Sequence, residues 1–186
     1  MNPKYKAKIE RVEKYDDFSF GGPSNDDYLQ TTAHTRIFYH GPEPHRGSGF
    51  MEGGLPRLRD GEGSRNVDDK LRSIWFDKKE GHIVIDLGEK VPMKMLNVYS
   101  HHRINRSPQN FLVFGSKEAQ PDFDDESGGD WEILSWVNTK KLGDGWKHGS
   151  SIQFPEGDEY RFLMLVIATQ NKGTFFNEID VEIYDR

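Results

Sequence analysis

The sequence predicts an all-β fold, an antiparallel β-sandwich of the jelly-roll kind, and three observations carry that expectation. The stretch HIVIDLG, residues 82 to 88, alternates Ile83, Ile85 and Leu87 against His82, Val84 and Asp86, the period of a strand with one face on a core. Further apolar segments of strand length succeed it at short intervals, with Gly, Pro, Asp and Asn between them. No amphipathic helical period runs for more than a few turns. Seven or more strands without intervening helices point to a sandwich or jelly roll.

In chain order, KAKIERVEKY near the N-terminus fits either an edge strand or a short helix. From Gly21 to Arg72 the chain is rich in Gly, Pro, Asn, Asp and His, and only TRIFYH, residues 35 to 40, reads as a strand. After HIVIDLG a Val-Pro break precedes MKMLNVYS; NFLVFGS, WEILSWV, SSIQFP, YRFLMLVIAT and FFNEIDVEIYD complete the set. RFLMLVIA lacks alternation, as expected of a central strand covered on both faces.

At 186 residues the chain is long enough for one domain with a real core. We expect a single sandwich over 1–186, with 1–65 as a loop-rich N-terminal extension or insertion. Cysteine is absent, so no disulfide, thiolate metal site or cysteine nucleophile is available. The first residues, MNPKYKAKIERVEKYDD, hold no apolar core of signal-peptide length, and no stretch reaches membrane-spanning length. Acidic residues outnumber basic ones 31 to 25 with no Lys/Arg block, so neither nucleic acid nor a membrane is an expected partner. An aromatic fraction of 12% against low overall hydropathy suits a recognition module with exposed rings.

Asp68, Asp69, Ser73 and Trp75 stand before a strand that closes on Asp86, Leu87 and Gly88; VYSHHRINRSPQNFLVFGS, Trp131 and the run Glu178, Ile179, Asp180, Val181 come after it. In that order and spacing, residues 66–184 resemble the discoidin family, the coagulation factor V/VIII type C domains, nearest to the family 32 carbohydrate-binding modules of galactose-binding-like fold. That family's loop reads D-G-x-x-x-T-x-W before a strand ending in D-L-G. Here Asp69 stands for the glycine, which Asp tolerates better than most residues, and Ser73 keeps the hydroxyl of the threonine.

The resemblance implies a structural calcium ion held by Asp68, nearby carbonyls, the Ser73 hydroxyl and Glu178, a hard-oxygen set that suits this cation. The loop by itself reads more readily as an Asx turn with solvated acids, and it is the spacing shared with the family that favours calcium. A ligand site is expected at one sandwich end from His101, His102, Arg103, Asn105, Arg106 and Asn110, with Phe175 or Phe176 as the ring under a sugar. Arg and Asn offer planar paired donors and acceptors to sugar hydroxyls, and an aromatic platform takes the apolar ring face. His40, His45 and Arg46 with Tyr39 and Phe50 form a second loop cluster, and Trp136 and Trp146 read either as another platform or as core. No nucleophile, base and orienting group stand at persuasive spacing, so no catalytic residue is assigned.

Together these expectations describe a noncatalytic module that binds carbohydrate through loops at one end of a calcium-stabilised sandwich. The alternative is a discoidin-like adhesion module with a protein or surface partner, and the third is an accessory domain of, or itself, a carbohydrate-active enzyme. An extracellular or cell-surface location is implied by the resemblance alone.

Overall fold

One long bent strand organises the chain. In the computed structural model, residues 8–15, 27–40, 54–61, 74–76, 81–101, 109–123, 130–140, 147–167 and 174–185 are described, with backbone alone for 8–15, His40, Trp75, His101, Lys147 and Thr174. The described elements, in order, are β1 (Lys8–Tyr15), α1 (Tyr28–Thr31), β2 (Arg36–His40), a 3-10 turn (Leu55–Arg59), β3 (Ile74–Phe76), β4 (His82–His101), β5 (Asn110–Ser116), β6 (Glu132–Asn138), β7 (Lys147–Gln153), β8 (Glu159–Ile167), β9 (Thr174–Phe176) and β10 (Glu178–Ile183).

The first half of β4 pairs with β2 on one side and β8 on the other; β8 pairs with β5, and β5 with β6. Its second half pairs with β7 and β10, and β7 with β1. All these pairings are antiparallel, and β4 runs through both layers. The corner lies at Asp86-Leu87-Gly88: Asp86 Oδ1 accepts from the Gly88 N–H at 2.8 Å, and Gly88 has φ +82°, a backbone that favours glycine. Pairing with β8 is interrupted there and resumes at Val91.

The Val-Pro break expected after this corner does not end the strand. The Pro92 carbonyl accepts from the Tyr184 N–H at 2.9 Å and the Met93 N–H donates to the Asp158 carbonyl at 3.0 Å, so the backbone stays extended and bonded around the proline. The other unforeseen break is at Asn177, which divides FFNEIDVEIYD into β9, paired with β3, and β10, paired with β4. KIERVEKY resolves as the edge strand β1.

Alternation puts Ile83, Ile85, Leu163, Leu165 and Val113 from one layer into the same buried cluster as Leu96, Val98, Ile152, Ile179 and Val181 from the other, which is the sandwich core. A second cluster, Val84, Met164, Phe162, Phe114 and Trp131, lies on the opposite face of the β8 layer, with Phe123 and Phe38 packed against it. That two-sided burial is why β8 shows no alternation.

Gly115 sits where the core leaves no room. A Cβ there would lie 2.6 Å from Tyr160 Cδ1 and 2.7 Å from Leu134 Cδ1, and the Tyr160 hydroxyl is held by Glu132 at 3.0 Å. Gly115→Ala is therefore expected to cost about 1–3 kcal/mol by overpacking, read as a lower denaturant midpoint.

Candidate functional site

Two groups of side chains carry chemistry: a buried set of carboxylates, and an exposed indole at one end of the β5–β6 pair.

Asp27 caps α1, its Oδ1 accepting from the Leu29 N–H at 3.0 Å and from the Val181 N–H of β10, also at 3.0 Å. Along β10 the alternation that sends Ile179 and Val181 inward brings Glu178 and Asp180 to the Asp27 side. The three carboxylates each offer an oxygen within 4.8 Å of the others. Glu178 Oε1 accepts from the Gly61 N–H at 3.1 Å, made available by the φ of +72° at Gly61. Asp27 Oδ2 and Glu178 Oε2 are buried without a partner among the described residues.

Three acids this close, Asp27 and Glu178 buried and Asp180 half-buried, repel. Burial, then the charge of Asp180, push Glu178 up to about 9, with Asp60 and Asp27 adding to the rise against the Gly61 hydrogen bond. Asp180 rises to about 7 for the same first reason, then through Asp27 and Glu182 and against a bond from Tyr99. Asp27 is raised by burial, against its backbone bonds and the Arg59 charge. A divalent cation removes this conflict: calcium takes carboxylate oxygens at about 2.3–2.6 Å, so oxygens this close can share one ion, and the two orphaned oxygens gain a partner. The residues present fit calcium. Such an ion would tie α1, β10 and the Asp60-Gly61 turn together, a scaffold role in which it supplies charge neutralisation.

Of the calcium ligands expected from the sequence, Glu178 is in this cluster, while Asp68 and Ser73 lie outside the described residues. Asp27 and Asp180 complete the cluster and were not named as ligands from the sequence. Asp60-Gly61, an Asp-Gly pair upstream of Asp68-Asp69, is the turn that meets Glu178.

At the sandwich end, Gln109 precedes β5 inside a buried polar network. Its N–H donates to Thr139 Oγ1 at 2.7 Å, its carbonyl accepts from the Thr139 N–H at 2.9 Å, and Thr139 Oγ1 pairs with His148 Nδ1 at 2.8 Å. This pins the next residue, Asn110, whose Oδ1 accepts from Trp136 Nε1 at 2.8 Å. Trp136 is 47% exposed, the one exposed large apolar side chain among the described residues. Leu112 lies opposite it on β5, and Val166 is next in the same row on β8.

Phe175 and Phe176, expected to offer a ring to a sugar, are buried, at 3% and 0% exposure. Phe176 packs against Phe76 and Phe111 with ring centroids 5.8 and 5.7 Å away, because β9 pairs with β3 and lays Phe176 into the core. That expectation is corrected: among the described residues the exposed ring at this end is Trp136. Asn110 begins β5, and the His101 backbone ends β4. His102, Arg103, Asn105 and Arg106 lie outside the described residues, as do His45, Arg46, Phe50 and Trp146. Tyr39 is half-buried and stacked on Phe76 at 5.0 Å.

The sequence matches no protein-family model and no curated protein. Solved structures do match. The Clostridium perfringens protein CpGH89CBM32-6 is 14% identical, with 85% of this chain and 99% of that one covered and a TM-score of 0.52. The lectin domain of lectinolysin complexed with Lewis B antigen is 14% identical over 87% of this chain and 99% of that one, with a TM-score of 0.57. The CBM32-1 and CBM32-2 domains of Clostridium perfringens ZmpB in complex with GalNAc are 14% identical, with a TM-score of 0.56 over 98% of this chain, which spans 42% of that one. The antiparallel sandwich organised around β4 is therefore the galactose-binding-like fold that these CBM32 and lectin domains share.

Proposed function

We propose that the protein is a noncatalytic carbohydrate-binding module that stacks a sugar ring on Trp136, with a calcium ion closing the Asp27, Glu178 and Asp180 cluster as a structural clip. The observation that carries the reading is the indole held edge-on by Asn110: the hydrogen bond satisfies the ring nitrogen and leaves the ring 47% exposed. A pyranose presents an apolar C–H face to such a ring, while its hydroxyls need fixed donors and acceptors beside it. His101, His102, Arg103, Asn105 and Arg106, on the segment joining β4 to Asn110, are the polar partners in this reading. The sugars bound to the lectinolysin and ZmpB domains support it. An extracellular or cell-surface setting, where glycans and millimolar calcium occur together, belongs to the same proposal. A small contact makes single-site affinity modest, and neighbouring modules would raise it through avidity.

A glycan array probed with the purified protein tests this, with calorimetry on any sugar bound. Trp136→Ala is expected to weaken binding roughly 10- to 30-fold, the loss typical of an aromatic anchor, with an unchanged melting temperature because the ring is not core. No glycan bound across a broad array, or equal binding by the variant, would overturn the reading.

A further inference from the structure

We infer that a second site, on the outer face of the β8 layer, binds a carboxylate-bearing pyranose, a uronic-acid residue. The face holds a cavity of about 670 Å³, floored by Phe38, Phe123 and Phe162 and walled by Arg36, Arg161 and Asp86. That volume is ordinary for a small-molecule site. Strand register separates it from the Trp136 end: Arg36 pairs with Asp86 and Asp86 with Phe162, whereas Trp136 pairs with Leu112 and Leu112 with Val166. Four residues along β8, or roughly 13 Å at strand rise, divide the two rows.

The charges in the cavity do not balance. Asp86 is buried, and its Oδ1 is taken by the Gly88 N–H at 2.8 Å and by Arg161 Nε at 3.4 Å. Arg36 reaches Asp86 Oδ2 only at 3.9 Å, and its side chain is 77% exposed. Arg59, which also lines the cavity, is bound to the Leu29 and Thr35 carbonyls and to the Thr35 hydroxyl. The Arg59 charge also acts on Asp27, so among the described lining residues the Arg36 and Arg161 guanidinium groups face one carboxylate, in a chain whose formal net charge is −6. This local surplus favours an anion.

Geometry narrows the anion. Arg161 engages Asp86 through Nε alone among the described contacts, which leaves the forked pair of terminal nitrogens for a second acceptor, and a carboxylate matches that fork. Arg161 also lies over the Phe162 ring at 5.1 Å, and Phe123 meets Phe38 and Phe162 edge-on at 5.3 and 5.8 Å, so the guanidinium and the apolar floor are packed together rather than swinging free. A ring with one apolar face and one carboxylate satisfies both parts of the cavity. Choosing a sugar among such rings rests on the carbohydrate-binding reading above; the preference for a carboxylate does not.

The test is an amide-resolved NMR titration of the intact chain with glucuronic and galacturonic acids, neutral glucose and galactose, benzoate, and sulfate. Uronic acids are expected to shift the amides of Arg36, Gln120 and Arg161, and the neutral sugars to leave them in place. Arg161→Gln and Arg36→Gln are each expected to weaken uronate binding about tenfold or more. Because Arg161 also balances buried Asp86, the exposed Arg36 supplies the variant whose fold is not in question. Trp136→Ala should leave uronate binding unchanged, which separates this site from the proposed sugar platform. Absence of uronate shifts, binding equal in both arginine variants, or equal shifts with sulfate would overturn the proposal; benzoate binding without uronate binding would overturn the sugar.

Discussion

With a chelator present, the protein is expected to lose thermal stability as pH rises from about 5 to about 8, and added calcium is expected to restore it, most strongly at the alkaline end. Glu178 and Asp180 ordinarily titrate at 4.5 and 3.8, but burial and mutual repulsion hold them at about 9 and about 7 in the fold. The folded chain keeps these protons after the unfolded chain has released its own. Stability present below the ordinary carboxylate range is therefore lost as pH climbs, through 3.8 to about 7 for Asp180 and 4.5 to about 9 for Glu178. Calcium competes with those protons, so its effect grows as they leave. At a hundredfold excess over the dissociation constant the linkage is about 2.7 kcal/mol, or roughly 5–10 °C for a chain of this size. Glu178→Gln keeps an acceptor for the Gly61 N–H while removing the charge, and is expected to flatten the pH profile and abolish most of the calcium response. Melting curves that coincide in calcium and in chelator from pH 5 to 8 would remove the ion from the proposal.

How much of this the sequence disclosed depended on the range over which each signal acts. Strand existence was legible from period two, and even the missing alternation of β8 was informative, because Phe162, Met164 and Phe114 make a second apolar layer outside the sandwich. Asp-Leu-Gly was legible as the end of a strand, and in the fold it is a corner within β4. Pro92 misled because a proline ends a strand only when its missing N–H is needed, and here its carbonyl and its neighbour carry the bonding. Glu178 was singled out in the sequence, but the acids gathered around it were not: Asp27 stands 151 positions before Glu178, and only the fold brings them within 4.8 Å. Phe175 and Phe176 stand beside turn residues just as exposed rings do, and nothing local records that β9 pairs with β3. Trp136 reads equally as platform or core until its row on the outer face is known.

The exchange of roles between Phe176 and Trp136 makes the second large prediction. Phe176→Ala is expected to cost about 3–5 kcal/mol, as removal of a buried aromatic ring usually does, with binding by the surviving folded fraction unaltered. The ring has 0% exposure and meets Phe76 and Phe111 inside the main cluster, so its loss opens a cavity whose walls belong to β3 and β5 and cannot collapse without moving either strand. Phe176→Leu retains most of the volume and is expected to recover much of that loss, since volume-conserving apolar exchanges cost least. Trp136→Ala is the mirror case, with affinity lost and stability kept. Denaturant midpoints and sugar affinities measured on the same three variants separate the two roles. A destabilisation below about 1 kcal/mol in Phe176→Ala together with a fall in sugar affinity would return the stacking ring to the β9 tip and withdraw it from Trp136.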